Sequence, residues 1–178
     1  MQPTPTERYH LITRLLHWSI AFLIFTLVTL GWYMVGLTYY DRWYNAALSW
    51  HRVLGLSVLA LAVTLLIWRL VMPAPPLPAS LGWLQRAAAT GTHHLLLTMM
   101  VLIPVTGYLV STSAGKSIDV FGWFAVPALV DVSESLRDLA IKIHFYCAYG
   151  TGLLGLGHAG AALKHQFIDR DGILSRML

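Results

Sequence analysis

The chain has 178 residues, of which 57% are hydrophobic and 11% are charged, whereas ordinary soluble domains carry about 25% charged residues. This composition excludes an ordinary soluble domain and indicates an integral membrane protein. The net charge is +4 at pH 7. We expect membrane lipid around the chain and no nucleic-acid partner.

Four apolar segments are long enough to cross a hydrocarbon core, which takes about 20 residues of α-helix. They cover residues 14–36, 49–72, 87–111 and 139–163. The first segment is longer than the apolar run of a secretion signal and lacks a cleavage site, so we expect it to be retained. No other part is large enough for a separate domain. The sequence therefore predicts an all-α fold, an integral membrane four-helix bundle, as one transmembrane domain over residues 1–178.

With four crossings, both termini lie on the same side of the membrane. That side carries seven of the lysines and arginines, and the other side carries five. The bias is weak, but under the positive-inside rule it favours cytoplasmic termini in a bacterial inner membrane. We therefore call the side of the termini inner and the opposite side outer.

The prolines and aromatic residues predict three local features of the chain. The run from Pro73 to Pro78 predicts a stiff inner turn, and Pro104 predicts a kink in the third helix. The outer connection from Thr112 to Asp138 contains the apolar run Phe121 to Pro127. We predict that this run lies in the interface as a short helix or a cap. A binding platform is the sharper alternative, because exposed apolar loops often mark binding surfaces.

Histidines near the helix ends form the most informative pattern. His144 and His158 lie fourteen residues apart on the fourth segment. On a helix they are about 40° apart in azimuth and roughly 21 Å apart along the axis. His17 begins the first segment, which runs outward, and His51 begins the second, which runs inward. His17 should therefore share the inner depth with His158, and His51 the outer depth with His144.

Two imidazoles at one depth are the axial ligand set of a six-coordinate haem iron. The sequence thus predicts two haem b groups, with all four histidines as iron ligands. The single cysteine, Cys147, is not in a C-x-x-C-H motif, so the haems are held without a covalent link. Glycines around His158 would clear space for a macrocycle, although close helix packing also explains them. Each histidine alone could instead reach interfacial water.

Cations near these histidines could pair with haem propionates, whose carboxylates are costly near hydrocarbon without a partner. The outer candidates are Arg52, Lys116 and Lys142, and the inner ones are Arg14 with Arg69 or Lys164. All could instead be interfacial anchors. His93 could hydrogen-bond a propionate or a quinone carbonyl, or could simply reside in the interface. We expect His10 and His165 to be solvated.

The residues around the four histidines resemble the bacterial cytochrome b561 family, four-helix dihaem cytochromes of the inner membrane. The resemblance covers nearly the whole chain and rests mainly on Leu16-His17-Trp18, Trp50-His51-Arg52, Ile143-His144-Phe145 and Gly157-His158-Ala159. The family's axial histidines fall on His17, His51, His144 and His158. Gly107 to Thr112 and Phe167-Ile168-Asp169 resemble a branch associated with a periplasmic isoprenoid-binding lipocalin-like protein.

This resemblance implies transmembrane electron transfer between a membrane quinone and a periplasmic redox partner. One activity of the family is superoxide oxidation with ubiquinone reduction, which would make the protein an oxidoreductase. Outer cations could attract superoxide electrostatically. Two alternatives remain open: a cytochrome b subunit of a larger dehydrogenase or hydrogenase, and a non-redox module that holds haem. The sequence also leaves a homo-oligomer open.

Overall fold

The computed structural model describes residues 8–78 and 81–178. Its long elements are α1 (Leu11–Val35), α2 (Tyr44–Val71), α3 (Trp83–Thr112) and α4 (Glu134–Lys164). Two short strands, β1 (Ile118–Val120) and β2 (Phe124–Val126), lie between α3 and α4. A π-helical turn at His165–Asp169 and a 3₁₀ turn at Leu174–Met177 follow α4. The predicted all-α four-helix bundle is confirmed.

Each helix overlaps its predicted segment, but α2 and α4 begin well before the predicted starts. Their apolar segments begin near Ser49 and Leu139, whereas the helices begin at Tyr44 and Glu134. The first turn of α4 is polar: the Ser133 hydroxyl accepts a hydrogen bond from the Leu136 N–H at 3.3 Å. Hydropathy locates the apolar middle of a helix and misses such a polar first turn.

Among the described residues, α1, α2 and α3 are long and apolar enough to span a membrane. Their most apolar windows have mean hydropathies of 1.8, 2.2 and 1.9. α4 is not in this group, because glycines, tyrosines and two histidines replace aliphatic residues along it. Its 31 residues nevertheless correspond to about 46 Å of helix, and it packs mainly against α3. Length and packing therefore support a fourth crossing.

Large apolar side chains point away from the bundle. Phe22 is 70% exposed, Phe25 69% and Leu153 74%, as expected of surfaces that face lipid. The buried centre is small and is formed by Ile20, Ala62, Leu65 and Met100, which come from α1, α2 and α3. The helices pack in sequence order, and α4 also contacts α1. Neighbouring helices in the sequence are therefore neighbours in the bundle, and α4 closes it against α1.

The outer connection is a β-hairpin, so the predicted short helix is wrong. β1 and β2 pair antiparallel, with Val120 opposite Phe124. Gly122 adopts φ +77°, and its N–H donates to the Asp119 carboxylate at 3.0 Å. The Tyr108 hydroxyl fixes the following segment, since it donates to the Pro127 carbonyl and accepts from the Leu129 N–H, both at 2.7 Å. Periodicity over so short a run cannot separate strand from helix.

The inner end is closed by the two ends of the described chain. The Trp18 indole N–H donates to the Met177 carbonyl at 2.8 Å, and the Tyr9 N–H donates to the Arg176 carbonyl at 3.0 Å. The Arg176 guanidinium in turn donates to the Pro76 carbonyl at 2.9 Å. The C-terminal turn, the start of α1 and the α2–α3 connection therefore lie at the same end of the bundle.

His165 is half-buried and contacts two carboxylates, contrary to the expectation that it is solvated. Its Nδ1 lies 2.6 Å from Asp171 and 3.2 Å from Asp169, which also pairs with the Lys164 ammonium at 2.6 Å. The donor atoms of the histidine and the two aspartates lie within 4.8 Å of one another, a spacing that could suit a cation. These contacts already satisfy both carboxylates, so we interpret the cluster as a clamp on the C-terminal tail.

Candidate haem-binding sites

The four histidines form two pairs, one toward each end of the bundle. At the outer end, the ring centroids of His51 on α2 and His144 on α4 lie 6.0 Å apart. At the inner end, those of His17 on α1 and His158 on α4 lie 6.2 Å apart. In both pairs the ring planes meet at 66°. The structure thus brings together the residues that the depth argument paired.

The spacing of both pairs suits a shared metal ion. A bond from an imidazole nitrogen to a metal is about 2.0–2.1 Å, so two imidazoles on opposite sides of one ion have centroids about 6.3 Å apart. The observed separations of 6.0 and 6.2 Å are close to that value. Rings in direct hydrogen-bond contact would have their centroids closer together. The histidine positions therefore fit axial ligation of iron.

The Ile103 carbonyl identifies which ring nitrogen of His144 carries the hydrogen. Its Nδ1 lies 2.9 Å from the carbonyl oxygen of Ile103 on α3. A carbonyl oxygen only accepts, so Nδ1 must carry the hydrogen, and the lone pair of Nε2 remains free for a metal. Histidine ligands are commonly oriented by such a bond. The two residues are 41 positions apart, and no sequence pattern links them.

Glycines let the outer imidazoles approach neighbouring helices. A Cβ atom on Gly107 would lie 2.9 Å from Cε1 of His144, and one on Gly31 would lie 3.3 Å from Cε1 of His51. The first distance is too short for any other residue unless the ring moves. Sequence reasoning missed this role and pointed to glycines of α4 instead. A Cβ atom at Gly155, Gly157 or Gly160 would meet nothing within 4 Å.

Buried guanidinium nitrogens accompany both pairs. The Nε atoms of Arg14, Arg52 and Arg69 are inaccessible to solvent and have no hydrogen-bond partner within the described part of the chain. Arg52 directly follows His51 on α2, and Arg14 lies one helical turn before His17 on α1. A buried N–H donor without a partner is costly, so these Nε–H groups fit the carboxylates of a haem.

The remaining predicted cations lie elsewhere. The side chains of Lys116 and Lys142 are exposed at the outer end. Lys164 binds the Asp169 carboxylate through both of its oxygens, at 2.6 and 2.7 Å, and is engaged in the tail clamp. Half-buried arginines are therefore better placed than lysines to meet a group held between the helices.

The inner site has a third imidazole. The ring centroid of His93 lies 5.4 Å from that of His158, with the planes at 72°. Its neighbour His94 is exposed, and its Nδ1 lies 2.8 Å from the Thr90 carbonyl of the same helix. His93 therefore contacts a proposed iron ligand directly. The sequence suggested a polar contact for His93 but gave no sign of this neighbour.

An apolar cavity extends from the outer pair toward the middle of the bundle. His51 and His144 line its outer part, and Val28, Val58, Met100 and Thr151 line the rest. Its walls come from all four helices. Apolar walls with two imidazoles at one end suit a flat hydrophobic macrocycle bound through a central metal.

Paired imidazoles at two depths of a membrane four-helix bundle, with half-buried arginines beside each pair, are typical of a transmembrane b-type cytochrome. The sequence profile of the prokaryotic cytochrome b561 family matches residues 8–178, and the chain belongs to that family. It is accordingly a membrane protein of haem b electron transfer, in a family of inner-membrane cytochromes.

Characterised relatives extend over nearly the same length. The chain is 40% identical to cytochrome b561 homolog 2 of Escherichia coli over 173 residues, covering 97% of this chain and 92% of that protein. It is 30% identical to cytochrome b561 homolog 1 of the same organism, covering 92% of each chain. A probable superoxide oxidase of Yersinia pestis is 24% identical over 180 residues, covering 97% of this chain and 96% of that protein.

Gly107→Ala should selectively impair the outer site. The added methyl group must displace the His144 ring, because the contact would be only 2.9 Å. We expect the variant to bind about half the haem of the parent protein, since ligand orientation is lost at one of two sites. Haem content is measured as the pyridine haemochrome per chain.

Gly91→Ala is the matched control, because Gly91 lies on α3 like Gly107 and its Cβ atom would meet nothing within 4 Å. Both changes replace glycine by alanine within a helix, so both should favour the helix itself. Equal haem contents in the two variants would show that the close approach of Gly107 to His144 does not matter.

Proposed function

We propose that the protein holds two haem b groups, one between His17 and His158 and one between His51 and His144, and passes electrons between a membrane quinone and a periplasmic redox partner. The observation that carries this proposal is the pair of imidazole separations, 6.0 and 6.2 Å, at the two ends of one bundle. When bound, each haem supplies a one-electron couple.

The protein's own residues hold and insulate these groups. Two imidazoles on one iron leave no open position, so the histidines favour outer-sphere electron transfer over oxygen binding. The fourteen residues from His144 to His158 separate the two sites by roughly 21 Å along α4. Apolar walls from all four helices exclude water from the space beside the outer pair. These features suit conduction across the membrane.

Arginines are proposed to neutralise the haem propionates. Arg52 would serve the outer group, and Arg14 and Arg69 the inner one; their buried, unpartnered Nε atoms support these roles. Lys116 and Lys142 are exposed at the outer end, and their positive charges would act on the outer site by long-range electrostatic attraction. We assign His93 to the inner site, as a hydrogen-bond donor to a propionate or a quinone carbonyl.

Superoxide is the outer electron donor that we propose, with quinone as the acceptor. A relative of 24% identity is described as a probable superoxide oxidase, which supports this reaction class. Exposed cations at the outer end would attract the anion and raise its local concentration. The exposed apolar side chains Trp123, Phe124 and Leu129 support docking of a periplasmic lipocalin-like partner at the hairpin.

Removal of either ligand of a pair should abolish the same haem. We expect two haem b per chain in the parent protein and one in each single variant, with His51→Ala and His144→Ala losing the outer group and His17→Ala and His158→Ala the inner one. Redox titration distinguishes the two haems by their potentials. Loss of different haems within one pair would refute the proposed pairing.

Arg52→Gln and Lys116→Gln should lower the outer potential and slow reduction by superoxide. Loss of a cation disfavours the more negative, reduced state. For a one-electron couple about 59 mV is a tenfold change, so a shift of a few tens of millivolts is expected for a partly screened charge. Stopped-flow reduction with superoxide and, separately, with quinol measures the rates.

Arg137→Gln is the control for this charge effect, because Arg137 is an exposed outer cation that already pairs with Asp138 at 2.9 Å. Its potential and rates should equal those of the parent. If Arg52→Gln and Lys116→Gln also leave the potential and the rate of reduction by superoxide unchanged, these residues are interfacial anchors and electrostatic attraction plays no part. Rapid reduction by quinol together with indifference to superoxide would favour a quinol-oxidising cytochrome subunit.

Both termini should lie in the cytoplasm and the hairpin in the periplasm. Alkaline phosphatase is active only after export, so a fusion to Leu178 should be inactive and a fusion after Lys116 should be active. The opposite activities would reverse the orientation and would move the superoxide-accessible end to the inner pair.

A further inference from the structure

The cavity beside the outer pair is lined by two matching sets of residues. Three lining residues of α1 each have a counterpart on α3 that lies 76 positions later in the sequence; the pairs are Ile24 with Met100, Leu27 with Ile103, and Val28 with Pro104. The same offset separates two further pairs, His17 with His93 and Gly31 with Gly107. α1 and α3 therefore turn equivalent faces toward this cavity.

The other two helices show the same repetition with a different offset. Three lining residues of α2 each have a counterpart on α4 that lies 93 positions later; the pairs are His51 with His144, Gly55 with Ala148, and Val58 with Thr151. Within each half of the chain the two consecutive helices pack together, α1 with α2 and α3 with α4. The outer site is thus built from two equivalent helix pairs, and a contact made in one pair predicts its counterpart in the other.

One such contact is made between α3 and α4 and lacks its counterpart between α1 and α2. His144 Nδ1 lies 2.9 Å from the carbonyl oxygen of Ile103. Nδ1 of His51 is inaccessible to solvent and has no hydrogen-bond partner within residues 8–78 and 81–178. A buried ring N–H without a partner is costly, and a metal-binding histidine almost always donates its second ring N–H.

Both outer rings turn the same edge toward a glycine. A Cβ atom on Gly107 would lie 2.9 Å from Cε1 and 3.2 Å from Nδ1 of His144. A Cβ atom on Gly31 would lie 3.3 Å from Cε1 and 3.9 Å from Nδ1 of His51. The order of the two ring atoms is the same, so the Nδ1 edge of His51 faces α1 as that of His144 faces α3.

The residue of α1 that corresponds to Ile103 is Leu27. It lies four residues before Gly31, as Ile103 lies four residues before Gly107. In an α-helix a carbonyl accepts from the N–H four residues later, so the Leu27 carbonyl lies beside Gly31. A carbonyl oxygen has two lone pairs and can accept a second hydrogen bond. Leu27 also lines the same cavity as His51.

We propose that the main-chain carbonyl of Leu27 accepts a hydrogen bond from Nδ1–H of His51 when the outer haem is bound. The bond orients the second outer ligand as Ile103 orients the first, and it leaves Nε2 of both rings free for iron. The His51 ring reaches the carbonyl by closing the difference between 3.9 and 3.2 Å from its glycine. Leu27 and Gly31 are thus positioning residues, and the inference rests on the proposed haem binding.

Solid-state NMR on the reduced, haem-loaded protein in lipid tests the bond directly. Histidine is labelled with ¹⁵N in the ring and leucine with ¹³C in the carbonyl. We expect a dipolar contact between a histidine Nδ1 and a leucine carbonyl, with the N–O distance of about 2.7–3.2 Å that a hydrogen bond requires. Leu27→Ile should remove this contact, because the variant keeps the main-chain carbonyl at position 27 and takes up no leucine label there.

The bond between His144 and Ile103 is the matched control. With ¹³C in the isoleucine carbonyls instead, the parent should show a contact at Nδ1 of His144 that Ile103→Leu removes. If that contact appears while Leu27→Ile removes nothing from the leucine-labelled spectrum, the inference is wrong.

Haem content, measured on the same samples, separates this outcome from a failure of the proposed function. A parent protein with two haems but no contact at Leu27 would refute the inference alone. A parent protein without an outer haem would refute the proposed function and the inference together.

Gly31→Ala gives a second readout that needs no label. If the His51 ring closes on α1, a methyl group at position 31 must displace it. The variant should then lose the outer haem and bind about half the haem of the parent, since ligand orientation is lost at one of two sites. The retained inner haem shows that the variant folds.

Gly91→Ala is again the control, because its Cβ atom would meet nothing within 4 Å, and it should bind as much haem as the parent. Full haem content in Gly31→Ala would show that His51 does not approach the Leu27 carbonyl, and would overturn the proposal.

Discussion

The hydrogen bond from His144 Nδ1 to the Ile103 carbonyl is the interaction on which the outer site depends. It ties α4 to α3, and it fixes which nitrogen of the imidazole carries hydrogen. In hydrocarbon an ionisable ring without a partner is expensive, so the same bond also lowers the cost of placing His144 there. One contact therefore both joins α3 to α4 and orients the His144 ring. A substitution on α3 can for this reason weaken binding at His144, although His144 lies on α4.

A short stretch of α3 supplies everything this contact requires. Ile103 offers the carbonyl, and Gly107 leaves the space into which the ring fits at 2.9 Å from the site of an absent Cβ atom. The Thr106 hydroxyl donates to the carbonyls of Leu102 and Ile103, so its hydrogen bonds are made within α3. One helical turn thus supplies both the acceptor and the space that orient the His144 imidazole.

Sequence reasoning reached the helices and the histidine pairing because both depend on simple periodic quantities. Apolar length gives the crossings, and residue number along antiparallel helices gives depth, which is why His144 falls beside His51 and His158 beside His17. It missed the contacts made across helices, such as Gly107 with His144 or His93 with His158, because the azimuth of one helix relative to the next is set by packing. It also misjudged the segment after Phe121, where a turn with Gly122 at positive φ forms a hairpin. Local turn chemistry decided that segment more than hydrophobicity did.

The histidine pairs at the two ends of the bundle have different neighbours. At the outer end, a carbonyl accepts from His144, and such a bond raises the basicity of the other ring nitrogen. At the inner end, His158 has a third imidazole, His93, for a neighbour, with ring centroids 5.4 Å apart. A backbone carbonyl therefore orients His144, whereas a neighbouring imidazole ring packs against His158. The protein therefore presents chemically unequal surroundings to its two histidine pairs, at two depths of the bundle.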